Sequence, residues 1–267
     1  MNIEAIWGLV LRYVFLYTRN FIRIVELLFW PVMELLVWGF LTVYLRESAT
    51  GDLREFIVFL IGAMILWDVL FRSQQGVAIS FLEDVWTRNL LNVFVAPVRI
   101  TEYLAATFVI GLLRILVTVS VLTLLAAVLY QFNLFDLGFS LIPFFFNLLV
   151  FGWCLGMIST ALILRWGQAA EALAWAVPFF IQPVSAVFYP VAVLPSWLQT
   201  VAWLIPSTHV FEGMRNVLDP EQASFSWTNL AWATGLNLAF ALLTALFFAW
   251  ILRLVREQGL LTKFASH

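Results

Sequence analysis

Six predominantly apolar blocks, at about residues 24–45, 56–72, 103–130, 139–164, 172–213 and 228–252, dominate this chain. Each approaches or exceeds the roughly 20 residues that carry a helix across about 30 Å of hydrocarbon at about 1.5 Å per residue. Inside a bilayer, backbone polar groups must be satisfied within each segment, so the blocks are expected to be helices. No polar stretch between them is long enough to enclose a core of its own, and hydrophobic residues make up 63% of the whole. The expected fold is an all-α integral membrane protein, a single transmembrane domain over 1–267 with no soluble domain.

Basic residues set the orientation. With the N-terminus in the cytoplasm and one crossing per block, Arg12, Arg19, Arg23, Arg72, Arg88, Arg99, Arg165, Arg253, Arg256 and Lys263 lie inside. Only Arg46, Arg54 and Arg215 lie outside, with Arg114 within a span. Ten against three is a clear positive-inside bias. Reading 172–213 as two crossings would move Arg253, Arg256 and Lys263 outside and erode it. The block is therefore divided into a span at 172–190 and a segment at 191–213 that dips into the outer leaflet without crossing. Five of the nine prolines (Pro178, Pro183, Pro190, Pro195, Pro206) fall here and break helices where a crossing should be continuous. The expectation is six spans in the cell inner (plasma) membrane, both termini cytoplasmic. A cleaved signal peptide is not expected, because the first block begins after 23 residues and carries Glu26 and Glu34.

Several chemistries are excluded. A phosphate-binding loop needs Gly-Lys-Ser/Thr, and the one lysine, Lys263, stands between Thr262 and Phe264. The chain is not expected to hydrolyse ATP or to hold a cofactor itself. Cys154 is alone and within a span, which excludes an intrachain disulfide and a cysteine metal site. His209 and His267 are the only histidines; Ser207 is too near His209 in sequence to suggest a hydrolase, and a metal would lack further ligands. No catalytic and no metal-binding residue is expected. The net charge of −2 gives no reason to expect nucleic acid.

Residues 1–23 read as an interfacial amphipathic helix. Arg12, Arg19 and Arg23 share a narrow arc with Glu4 and Gly8, while Ile3, Ile6, Trp7, Val10, Val14, Tyr17 and Phe21 take the opposite one. Such a helix either anchors the first span or acts as a lever joined to a partner. In the stretch 80–103, Glu83 and Asp84 open a short amphipathic helix over 81–93. Pro97 stops it, and Thr101 caps the helix that follows. A helix of about 12 residues is too short to stand alone, so it packs on lipid headgroups or docks in a groove of a cytoplasmic partner. Glu34, Asp68 and Arg114 lie inside apolar blocks, where an unpaired charge costs about 2.5–3.5 kcal/mol. Arg114 is expected to pair with Glu34 or Asp68, or else the three face cargo in a wet cavity. Gly152 and Gly156 form a GxxxG that permits close helix approach.

The stretch from Glu83 through Leu90-Leu91 to Ala96-Pro97 resembles the loop between the second and third spans of type-2 ABC exporter permeases. Trp86-Thr87-Arg88-Asn89 stands where Gly-Thr-Leu-Glu is commoner in that family. A second similarity covers 188–215: Tyr189-Pro190, then Leu194-Pro195-Ser196-Trp197-Leu198, then Pro206-Ser207-Thr208, then Glu212 and Arg215. The family has short re-entrant helices on the outer face at this point. Glu26 to Pro31 adds a weaker likeness. The resemblance implies a homodimer of six-span subunits, two copies of a separate ATPase subunit carrying ATP and Mg, and a coupling helix between spans 2 and 3. It assigns the ATPase contact to Glu83, Asp84, Trp86, Arg88, Leu90, Leu91 and Pro97. Family cargoes are drugs, lipids and lipid-linked glycans, so multidrug efflux is among the expected activities. The competing reading is a stand-alone channel or ion-coupled transporter that uses Glu34, Asp68 and Arg114. It explains the buried charges and leaves the 81–93 helix without a purpose.

Overall fold

The structure, a computed structural model, describes residues 2–48, 54–87, 89–130, 141–218 and 225–258. Among these, every regular element is helical: α1 (Ile3–Thr18), α2 (Phe21–Ser48), α3 (Arg54–Trp86), α4 (Leu90–Val95), α5 (Ile100–Tyr130), α6 (Leu141–Trp166), α7 (Glu171–Val184), α8 (Ser196–Ala202), α9 (Pro206–Leu218) and α10 (Trp227–Glu257). Four of the described stretches are long and apolar enough to cross a membrane: Phe21–Tyr44 of α2, and all of α5, α6 and α10.

The bundle is organised around α3, which packs against α2, α5, α6, α7 and α9. One half of α3 supplies Ile61, Met64, Ile65 and Leu70 to an apolar core shared with Phe144, Leu148 and Phe151 of α6. The other half supplies Val77, Phe81 and Val85 to a second cluster with Tyr103 of α5, Ile163 of α6 and Val255 of α10. Backbone proximity makes this possible. A Cβ at Gly152 would stand 2.6 Å from the Leu70 carbonyl, and one at Gly156 would stand 2.7 Å from that of Gln74. The GxxxG of α6 thus seats α3 within one subunit.

Several expectations need correction. The break expected between the blocks at 56–72 and 103–130 begins only after Trp86, because α3 continues unbroken to that residue. Its polar residues find partners on neighbouring helices. Ser73 donates to the Leu149 carbonyl at 2.6 Å, and Gln74 to Ser159 Oγ at 3.0 Å and the Ala174 carbonyl at 2.8 Å. The single helix expected over 81–93 is divided. Glu83 and Asp84 occupy the last turn of α3, and the six-residue α4 is separate. Thr101 does not cap α5. That helix starts at Ile100, and Glu102 reaches back to accept the Arg99 N–H at 2.9 Å, the carboxylate half of a capping box. The span expected at 172–190 is a helix of 14 residues, after which the chain turns at Ser185. It contains Pro178 and Pro183, so each removes a backbone donor from an already short helix. Arg88, Lys263 and His267 lie outside the described residues, as do the side chains of Leu90 and Leu91.

Candidate coupling hub and membrane cavity

Adjacent residues on a helix point about 100° apart, and the pair at the end of α3 uses this to serve two groups of partners. Asp84, fully buried, meets α1 and α5. The Tyr13 and Tyr103 hydroxyls each lie 2.8 Å from Asp84 Oδ2 and 3.1 Å from one another. Arg12 pairs with the other carboxylate oxygen, and Asn89 donates to that oxygen at 3.3 Å. The Asn89 N–H also donates to the Asp84 carbonyl at 2.9 Å, which ties the start of α4 to the end of α3. Burial opposes the charge of Arg12, but Asp84 outweighs it and the guanidinium is held above its ordinary value. Burial raises the Tyr13 phenol, and Asp84 raises it further.

Glu83 turns the other way. Its Oε1 accepts from Tyr17 at 2.9 Å and from Arg23 at 2.8 Å, and its Oε2 lies 4.0 Å from Arg114. Arg114 stands over the Tyr17 ring at 4.2 Å. Burial pushes the Tyr17 phenol up to about 12, with Arg114 pulling the other way and Glu83 adding to the rise. The expected pairing of Arg114 with Glu34 or Asp68 is therefore replaced: its acid is Glu83, and Asp68 pairs with Arg72 at 3.2 Å one turn along α3. The arginine arc of α1 is also corrected. Arg12 and the nearby Arg23 of α2 turn inward to the two acids, and Arg19 alone remains exposed, over the Phe15 ring at 5.2 Å. Of the apolar arc, Ile3 and Trp7 are exposed and Val10 is buried, and Tyr13 beside that arc is buried as well.

Beside Glu83 opens a cavity of about 800 Å³, floored by α3 and flanked by α2 and α7. Glu83, Arg114, Tyr17 and Arg23 line it at the end near α1; Glu34, Arg72, Trp38 and Phe179 line it deeper along the bundle. Trp86 lines it as well and donates to Glu171 Oε2 at 3.1 Å, joining α3 to the first residue of α7. Pro97 is exposed just after α4.

At the opposite end of α3, the predicted re-entrant residues form a separate device. Pro190 and Pro195 precede a 3₁₀ turn and α8, Trp197 is exposed, and Pro206 opens α9 as its first residue. Arg215 gathers the Ala186, Val187 and Tyr189 carbonyls, the last at 2.6 Å. It pairs with Glu212 at 3.0 Å and stands 4.5 Å over the Phe59 ring of α3. Glu212 accepts the Val191 N–H at 2.8 Å. The staple holds a turn in which Ala186 has φ 51°, a left-handed conformation that a non-glycine residue keeps only when its surroundings impose it. His209 sits between Trp203 and Trp232, with Nε2 2.9 Å from the Trp203 carbonyl. No cluster of metal-ligating side chains occurs among the described residues.

Sequence reasoning missed Tyr13 and Tyr103 and placed Tyr17 on the apolar arc, away from the arginines. A signal was present: two tyrosines four residues apart on a helix that also carries arginines offer hydroxyls on one face. The family model described as ABC-2 family transporter protein matches residues 33–254. The chain belongs to the ABC-2 transporter family. Comparison with curated proteins gave no match. An ABC-2 membrane protein is the multi-pass permease component of an ABC transporter, works with a partner ATPase and is not itself one. Membership in the ABC-2 family sets aside the stand-alone channel that the buried charges alone would allow.

Proposed function

We propose that this permease is the export subunit of an ATP-driven transporter, that it acts as a homodimer, and that two copies of a separate ATPase subunit bind at the end that carries α1 and α4. In this reading α2, α3, α5, α6, the segment 172–190 that contains most of α7, and α10 are the six crossings of the inner membrane, both termini are cytoplasmic, and α8 and α9 lie in the outer leaflet. The cargo is hydrophobic or amphipathic, and the cavity is the part of its path that belongs to one subunit. The observation that carries the reading is the continuity between hub and cavity: Glu83 is at once a partner of Arg23 and Tyr17 and a wall of the cavity.

The division of labour differs from the one the motif resemblance implies. Glu83 and Asp84 are buried, so the surface offered to the ATPase is α4 with Trp86 and Pro97, and the two acids relay its displacement. A push on α4 reaches Asp84 through Asn89, then α1 through Tyr13 and Arg12 and α5 through Tyr103. Glu83 carries the same movement to the cavity wall. The test is copurification of the permease with the ATPase subunit, with ATP hydrolysis and transport read on the complex. Replacing Leu90 and Leu91 together by Ala removes apolar contact worth roughly 0.8 kcal/mol per buried methylene. The double variant is expected to fold and insert, yet to lose ATPase binding and transport together. Normal binding and transport in that variant would show that force enters the protein elsewhere.

A further inference from the structure

We propose that the cavity selects an amphipathic organic cation, a bulky apolar body that carries an ammonium or similar positive group. This deepens the exporter reading and rests on it, since that reading makes the cavity part of the cargo's path. Glu26, Trp30, Glu34 and Trp38 follow one another at intervals of four on α2, and all four line the cavity. Residues four apart share a helix face, so carboxylates and indoles alternate along this wall with a rise of about 6 Å per step. A cation placed against Glu34 has an indole on either side of it, and Trp faces bind cations best among the aromatics. Stacking on Phe188, with centroids 4.7 Å apart, fixes the Trp38 ring.

The charge count decides the sign of the cargo. Three guanidiniums line the cavity and share two acids, Glu83 beside Arg23 and Arg114 and Asp68 beside Arg72, and Glu26 and Glu34 bring the acids to four. Glu26 and Glu34 have neither an ion-pair nor a hydrogen-bond partner among the described residues. An anionic cargo would meet these carboxylates where acids, Asp68 included, outnumber guanidiniums four to three. A neutral one would leave the excess of acid there unmet, since Asp68 already takes Arg72. An organic cation supplies the missing charge, while its apolar body packs on Phe71 and Phe179 across the cavity, 5.4 Å apart. Gln75 marks a further contact. It is 8% exposed, lines the cavity, and its amide nitrogen has no partner, so a cargo carrying an acceptor near its cation is accommodated.

The experiment is equilibrium binding of radiolabelled tetraphenylphosphonium to the permease–ATPase complex in nanodiscs, with empty nanodiscs subtracted and tetraphenylborate as an anion of the same shape. Saturable binding of the phosphonium that tetraphenylborate does not displace is expected. Glu34→Gln should weaken it roughly tenfold or more, the size of one lost charge-assisted contact, and Glu34→Asp should recover most of the loss. Trp30→Ala should weaken it and Trp30→Phe much less. Equal affinity for the two ions, or unchanged affinity in Glu34→Gln, overturns the proposal. Should Glu34→Gln not assemble, the ion preference of the unaltered protein and the Trp30 pair decide the question. A complex that assembles and hydrolyses ATP without preferring the cation leaves the exporter reading standing and removes only this cargo. Failure of any ATPase subunit to bind removes the exporter reading itself.

Discussion

Asp84 illustrates how much one side chain can organise when it is buried with donors on every side. Two phenols, a guanidinium and an amide converge on its two oxygens. Asp84→Asn preserves the shape but removes the charge and turns one acceptor into a donor that faces other donors. The expected loss is about 1.5–3 kcal/mol, the range for hydrogen bonds to charged groups, measured as unfolding of the detergent-solubilised protein. Arg12→Gln should cost about 1 kcal/mol or less, because the Arg12 side chain is 30% exposed and Asp84 keeps both phenols. Equal losses in the two variants would mean that the ion pair, not the phenols, holds α1 in place. The importance of the Glu83-Asp84 pair was legible in the sequence; its direction was not. A polar pair at the end of an apolar block reads as surface until the tyrosines of α1 and α5 are seen to cover it.

At the scale of the element, α3 shows where reading one helix at a time fails. The apolar blocks of α5, α6 and α10 announced their helices, because apolar length alone is sufficient there. The run Arg72-Ser73-Gln74-Gln75-Gly76 looked like the start of a loop. Its polar groups are satisfied by carbonyls and a hydroxyl on α6 and α7, and no inspection of α3 by itself reveals such acceptors. The glycines are a clearer signal. Gly156→Ala would drive a methyl against a backbone carbonyl that cannot yield, so α3 and α6 must separate. A loss of about 1–3 kcal/mol is expected, as for other overpacked interiors. Gly235→Ala in α10 meets nothing within 4 Å and should be neutral or stabilising by up to about 1 kcal/mol. Thermal stability by fluorescence-detected size exclusion compares the two directly. A neutral Gly156→Ala would mean that the α3–α6 contact is looser than the backbone distances require.

For the molecule as a whole, the proposed topology makes α4 and α8 face opposite sides of the membrane. Cys154 is buried, at 4% exposure, so single cysteines can be introduced against a quiet background. Ser196→Cys on α8 should react with a membrane-impermeant thiol reagent applied to intact cells, and Asn92→Cys on α4 should react only after the membrane is opened. The opposite pattern would invert the protein and move the ATPase contact to the α8 and α9 end. The distribution of arginines is what motivates this proposed orientation, whereas the shortness of α7 and the staple at Arg215 depended on contacts between distant residues. Those contacts also make α3 a beam with two bearings. Arg215 rests on Phe59 near one end and Asp84 is gripped near the other. The 25 helical steps from residue 59 to residue 84 span about 37 Å of continuous helix. With the Phe59 bearing fixed, a tilt of about 5° swings the Asp84 end through about 3 Å. A lever of that length lets a small rotation change the width of the cavity beside it while the Phe59 end barely moves.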